Sequence, residues 1–247
     1  MSSSYFGHRI IHLESIDSTN NYTAKVFKSA EVPSGSVIMA DIQTNGRGQR
    51  EKTWQSGAYE NLTFSLTADI NLWKINTLID LNRLIAISLH SFFVELGLKP
   101  KIKWPNDIMI NDKKVCGILI ENFFRDGSPK SVIGIGINVN QKEFDFPRAT
   151  SISKEKGQHF KPKDLLYQFI NKLNYTFGDL SISDSQKIHS RYDKLLWNKN
   201  LTQEFSTSEN TKFIGKIIGS SIDGELLIER KRDEIEMVSY RNGEISY

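Results

Sequence analysis

Between Leu78 and Leu96, apolar residues recur at helical spacing: Leu78, Ile79, Leu81, Leu84, Ile85, Ile87, Leu89, Phe92, Phe93 and Leu96, with Gly97 as the stop. The spacing predicts the central packing helix of the chain. "KIKWPNDIMI" (101–110), a polar turn "NDKK" (111–114) and "VCGILIENFF" (115–124) follow it, the pattern of a β-hairpin. "SVIGIGINVN" (131–140) reads as a further strand, with glycines where side chains would block a neighbour or a ligand. The fold expected is α+β, a mixed β-sheet with helices packed on it.

Upstream, "RIIHLESI" (9–16) reads as a strand running into a helix, "DSTNNYTAKVFKSA" (17–30), with Ser18 or Asp17 as N-cap. "SVIMADIQ" (36–43) is a core strand, a loop spans 43–57, and "NLTFSL" (61–66) is the next strand. Downstream, "DLLYQFINKLNYTF" (164–177) and the stretch around "SQKIHSRYDKLLW" (185–197) read as helices. After Trp197 come short β runs separated by "DG" and "NG" turns, the signature of a small antiparallel barrel. The expected division is therefore 1–195 and 196–247.

With 38% apolar and 25% charged residues among 247, the chain has the make-up of a soluble globular protein. A net charge of +3 is too small to imply nucleic-acid binding by itself and suits a small anionic substrate. The single cysteine, Cys116, allows no internal disulfide, which fits a reducing compartment. No stretch has the signal-peptide pattern or the ~20 apolar residues of a membrane span. A cytoplasmic protein with no membrane attachment is the expectation.

Four segments carry chemistry. In "GRGQREKTW" (46–54) glycines allow close backbone approach, Arg47, Arg50 and Lys52 supply donors for phosphate or carboxylate, and Trp54 offers a face for a base. It lacks the Gly-Lys-Ser/Thr ending of a Walker loop, and a solvated basic surface loop is the competing reading. In "KWPND" (103–107), Asn106 and Asp107 can bind a polar ligand group, or a metal through water, although Pro-Asn-Asp also reads as a plain turn. Lys114 enters an apolar strand and can point inward to a carboxylate or outward to solvent. "DSTN" caps a helix and presents hydroxyls and amides at its positive end.

Together, "STNNY", "QTNGRGQREKTW", "KWPNDI", "KKVCGILIE" and "GIGINVN" stand in an order that resembles the biotin protein ligases over nearly the whole chain. The resemblance implies a catalytic domain like that of class II aminoacyl-tRNA synthetases and biotin ligases, plus a small C-terminal SH3-like β-barrel. It implies an ATP-dependent ligase that forms biotinyl-5′-AMP and pyrophosphate, then transfers biotin to a lysine of a biotin carboxyl carrier protein. Biotin, ATP and Mg²⁺ are the implied small molecules. The seventeen residues before Ser18 leave no room for the winged helix of bifunctional members, so DNA binding is not expected; some relatives dimerise by sheet extension. A lipoate or octanoate ligase or transferase of the same superfamily is one alternative, and a non-catalytic biotin-binding relative is another.

By resemblance, Ser18, Thr19, Asn20, Gln43, Gly46, Arg47, Gly48, Gln49, Lys114 and Gly117 surround biotin, with Lys114 and Arg47 as the catalytic pair. Arg50, Lys52, Trp54, Lys103, Asn106, Asp107 and Asn138 surround ATP. Mg²⁺ is expected on the phosphates, with Asp107 as its protein ligand. Gly117 and Gly136 keep the pocket walls thin. The loop departs from the family's Gly-Arg-Gly-Arg-x-Gly-Arg-x-Trp: Gln49 and Lys52 stand for arginines and Glu51 for a glycine. The loop is expected to order over the adenylate. Gln49 is expected to loosen adenylate retention, with Glu51 facing solvent.

Overall fold

The computed structural model describes residues 4–50, 52–180, 184–231 and 235–247. Glu51 therefore lies outside the described residues, and so does the expectation for its orientation. Seven strands form one mixed sheet: β1 (Ile10–Ile16), β2 (Val37–Gln43), β3 (Leu62–Asp69), β4 (Pro100–Lys103), β5 (Asp107–Ile110), β6 (Lys113–Arg125) and β7 (Ser128–Ile137). Their spatial order is β1-β2-β3-β7-β6-β5-β4. Only β1 and β2 run parallel, joined by helix α1 (Thr19–Lys28) as the crossover that a parallel pair requires.

Helix α2 (Leu78–Glu95) is the predicted central helix. Thr77 caps it, its Oγ1 accepting from the Asp80 N–H at 3.0 Å, and Gly97 follows its C-cap at φ +74°. Leu81, Leu84, Ile85, Leu89 and Phe93 are fully buried. Helix α4 (Pro162–Asp179) packs beside α2, where Phe169 meets Phe64 and Phe92. Helix α5 (Ser185–Lys194) also packs on α2. A short helix, α3 (Ile152–Lys156), was not expected from the sequence; Ser151 caps it and Gly157 ends it at φ +70°.

The C-terminal strands β8 (Thr202–Thr207), β9 (Lys212–Ser220), β10 (Leu226–Lys231), β11 (Ile235–Tyr240) and β12 (Ile245–Ser246) form an antiparallel sheet in the order β11-β10-β9-β8-β12. Among the described residues no ladder joins β11 to β12, so the expected barrel takes the form of an open five-stranded sheet. Buried polar groups tie it to helix α2 and to the turn between β4 and β5. Arg83 is 2% exposed and donates to the Ile222 and Ser221 carbonyls at 3.0 and 2.5 Å. The Trp104 indole donates to the Gly224 carbonyl at 2.9 Å.

Candidate active site

Three glycines make the floor of a cleft. Gly117 on β6 stands opposite Gly136 on β7, which stands opposite Thr63 on β3; Gly134 lies two residues along β7, opposite Ser65. This face of the central strands is bare, and three side chains occupy the bare places. A Cβ on Gly136 would overlap the Trp54 ring, and one on Gly134 would overlap the Asn20 side chain. A Cβ on Gly117 would come within 3.1 Å of Trp54 and 3.2 Å of Lys114 Nζ. The thin walls expected at Gly117 and Gly136 thus make room first for the protein's own Trp54 and Lys114.

Lys114 reaches this face through a β-bulge. Between β5 and β6, Ile108 pairs with Cys116 but Met109 pairs with Lys114, so one extra residue is inserted in β6. Plain alternation would put Lys114 on the same face as Cys116 and Ile118, both fully or almost fully buried in the core. The bulge turns it to the face of Gly117. There Lys114 Nζ pairs with Asp107 Oδ1 at 2.7 Å and sits 5.6 Å from the Trp54 ring centroid. Of the two orientations open from sequence, the inward one is found.

The loop 46–54 folds back on itself. Gly48 N donates to Lys52 O at 2.7 Å, Trp54 N to Gly46 O at 2.9 Å, and Arg47 bridges Thr53. The close return leaves no room for a Cβ on Gly46, which would overlap the Trp54 carbonyl. The indole Nε1–H of Trp54 is enclosed and meets no acceptor among the described residues. At the loop's base the Arg47 guanidinium grips Glu121 through both nitrogens, at 2.8 and 3.2 Å, and donates to Asn21 Oδ1 at 2.7 Å.

The other end of the cleft is polar and neutral. Ser18 is the N-cap residue of α1, yet its side chain makes no cap hydrogen bond. Gln43 from the end of β2 takes over, its Oε1 accepting from Thr19 N at 2.8 Å and Thr19 Oγ1 at 3.0 Å. The Ser65 hydroxyl lies 2.9 Å from Thr19 Oγ1 and 2.6 Å from Asn20 Oδ1; Asn20 Nδ2 donates to Glu121 Oε2 at 2.9 Å. A continuous polar chain therefore runs from Gln43 through Thr19, Ser65, Asn20 and Glu121 to Arg47. Ser65 and Glu121 were not singled out from sequence: each reads as an ordinary polar residue within a strand.

Ser18, Thr19, Asn20, Gln43, Arg47, Gly48, Trp54, Asn106, Lys114 and Gly117 all line this one cleft. Gln49, Arg50, Lys52, Lys103 and Asp107 line an adjoining crevice against the C-terminal sheet, and Asn106 borders both. Arg50 points at the turn after β11, donating to Asn242 O at 2.6 Å. Lys103 Nζ donates to Tyr247 O at 2.8 Å, and burial pulls its pKa below the usual lysine value. The Asn106 amide donates to Ile118 O at 2.7 Å. Asn138 is 4% exposed and gives its amide to Thr150 O at 3.0 Å; it does not line the cleft. Cys116 is fully buried and burial pushes its thiol pKa up, so it is no nucleophile. Among the described residues no group of three His, Cys, Asp or Glu side chains could hold a metal by itself.

A cleft with a neutral hydrogen-bonding end, a lysine on its floor, an indole over its wall and no nucleophile suits holding two reactants together rather than attacking either. The comparisons with known proteins agree. The biotin/lipoate A/B protein ligase family matches residues 12–140. The bifunctional ligase/repressor BirA of Bacillus spizizenii is 33% identical over 236 residues, covering 90% of this chain and 70% of that protein. The biotin–[acetyl-CoA-carboxylase] ligase of Mycobacterium tuberculosis is 30% identical over 142 residues, 55% of this chain and 51% of its own length. The biotin protein ligase of Aquifex aeolicus, solved with biotin and ATP, superposes with a TM-score of 0.79 at 26% identity, covering 97% of this chain and 98% of that one.

Proposed function

This chain belongs to the biotin/lipoate A/B protein ligase family, and on that premise we propose how its cleft works as a biotin protein ligase. The enzyme activates biotin with ATP and transfers it to protein. The observation that carries the residue assignment is the cleft itself: neutral Ser18, Thr19 and Gln43 at one end, Lys114 on a floor of glycines at the other.

Biotin lies with its ureido ring against Ser18, Thr19 and Gln43, which offer both donors and acceptors. Its carboxylate points to Lys114 and the backbone of 46–48. ATP lies against Trp54, whose enclosed N–H meets no acceptor among the described residues, with its phosphates toward Asn106, Lys103 and Lys52. The biotin carboxylate oxygen attacks the α-phosphorus, the α–β phosphoanhydride bond breaks, and pyrophosphate leaves. Pressing one anion on another needs fixed positive charge, and Lys114 supplies it by exchanging Asp107 for the reacting oxygens. Mg²⁺ bound to ATP would add charge neutralisation, and Asp107, once released by Lys114, would be the carboxylate to hold it. The acceptor lysine amine of a carrier domain then attacks the acyl carbon, and AMP leaves. The folded-back loop keeps water from the mixed anhydride.

A lipoyl or octanoyl chain has no ureido group to answer Ser18 and Gln43, and the buried Cys116 supplies no acyl-enzyme thiol. The division falls near residue 195, with the small C-terminal sheet walling the crevice on the phosphate side, and the working compartment is the cytoplasm. A homodimer formed by sheet extension runs through β1, since the outer edge of β4 is taken: Ile102 N donates to Leu195 O and Trp197 N to Ile102 O. The test is pyrophosphate release from Mg·ATP with biotin, lipoate or octanoate in parallel, followed by transfer to a carrier domain. Release only with biotin is expected; equal release with lipoate would refute the assignment.

A further inference from the structure

The loop over the cleft is fastened at its tip to the other sheet. Arg50 Nη2 donates to Asn242 O at 2.6 Å and Nη1 to Gly243 O at 3.4 Å; the Asn242 amide returns a bond to Gln49 Oε1 at 3.0 Å. The turn that accepts these bonds is itself braced. Arg241 N donates to Glu244 Oε2 at 2.8 Å, Glu244 N to Arg241 O at 3.0 Å, and Ser208 N to Glu244 O at 2.9 Å. Gly243 has φ +87°, and a Cβ there would fall inside the Arg50 guanidinium. Arg50 itself has φ +54°, a conformation that a non-glycine residue keeps when its surroundings hold it.

We propose that Arg50 is a positioning residue: it ties the loop 46–54 to the turn 241–244, so the C-terminal sheet sets how long the adenylate is retained. This rests on the biotin ligase reading. At its base the loop is held by its own backbone bonds and by Arg47 on Glu121. At its tip, among the described residues, the bonds to 242 and 243 hold it down, and two of them are charge-assisted. Gln49, which stands where the family has an arginine, belongs to the same fastening through its amide oxygen.

The experiment uses the full chain and the variants Arg50→Ala, Gly243→Ala, their double, and Asn242→Ala. Each is loaded with biotin and Mg·ATP without acceptor, the pyrophosphate burst is recorded, and adenylate dissociation is followed by stopped flow after a chase. Arg50→Ala and Gly243→Ala are each expected to speed dissociation about tenfold, and Asn242→Ala to keep the burst. The double variant is expected to be little faster than Arg50→Ala, because the collision is gone once the guanidinium is removed; what remains is the strain of an alanine at φ +87°, read separately as a fall in urea midpoint. Asn242→Ala keeps the turn's carbonyl and loses only the bond to Gln49, so a rise of about threefold is expected even if Gly243→Ala folds poorly. Additive effects, an unchanged dissociation rate in Arg50→Ala or Asn242→Ala, or loss of the burst in Asn242→Ala would overturn the proposal. Absence of a burst in the unaltered chain would instead refute the biotin ligase reading beneath it.

Discussion

Single atoms decide the shape of this cleft. Gly136 is the clearest case: one methyl group there meets the Trp54 ring. Overpacking of this kind costs about 1–3 kcal/mol, and here it falls on the position of the indole rather than on the core. Gly136→Ala is expected to fold normally and to lower kcat/KM for ATP roughly 10–100-fold, read by biotin-dependent pyrophosphate exchange. Smaller loss with Trp54→Ala already present would identify the collision as the cause. Lys114→Met removes the floor cation and leaves Asp107 without its ion pair. A fall of about 10²–10³ in kcat is expected for adenylate formation, with a much smaller change in KM for biotin. A kcat within a few-fold of the unaltered chain would mean that another group carries the charge. Lys114 shows what sequence can and cannot tell at this scale: its identity was visible within "KKVCGILIE", but its direction depends on a bulge that alternation does not reveal.

At the scale of elements, most strands and helices were legible, because amphipathic spacing and caps are local signals; the segment 101–110, read as one arm of a hairpin, is instead two antiparallel strands, β4 and β5, because Trp104-Pro105-Asn106 turns the chain. Helix α3 was missed since five residues carry too little periodicity to read. The Ser18 cap was half right: Ser18 holds the position, while Gln43 from another strand does the bonding. That substitution frees the Ser18 hydroxyl for the cleft, and no local rule predicts it. Helix α2 also carries a pH sensitivity. His90 is pushed down to about 4, first by burial and then by the charges of Lys101 and Arg191. Above about pH 6.5 the ring is neutral in the folded and unfolded chain and contributes no pH dependence. As pH falls from 6.5 towards 4, the unfolded chain binds a proton that the folded chain refuses, so stability is lost. The loss is about 2 kcal/mol after allowing for partial exposure of the ring. His90→Gln is expected to flatten the fall in urea midpoint between pH 7 and 4.5; an equally steep fall would assign the effect to other groups.

At the scale of the whole molecule, the two sheets are held by buried donors rather than by a continuous apolar seam alone. Arg83 gives two bonds to Ser221 and Ile222 from a fully buried position, with Asp80 3.9 Å away and the Tyr192 ring 5.8 Å from its guanidinium. Arg83→Met takes the side-chain donor from the Ile222 carbonyl and one of two donors from that of Ser221, which keeps the Gly224 N–H at 3.0 Å, at a cost of about 1–3 kcal/mol. Urea unfolding is expected to change from one transition to two, the C-terminal sheet melting first; a single shifted transition would show that the sheets stay coupled without it. Strand order was the least legible property, since β3 and β7 pair residues as distant as Leu62 and Ile137. The same distance has a consequence for the growing chain. The β6–β7 hairpin can close as soon as it leaves the ribosome, and so can the β1-α1-β2 unit. The strand that joins them, β3, pairs with β2 at once but lacks its second neighbour until β7 (Ser128–Ile137) is made, so until then the cleft floor is incomplete and no ligand site exists. Contacts of this range slow folding, and biotin and ATP can act only on a chain that has already closed its sheet.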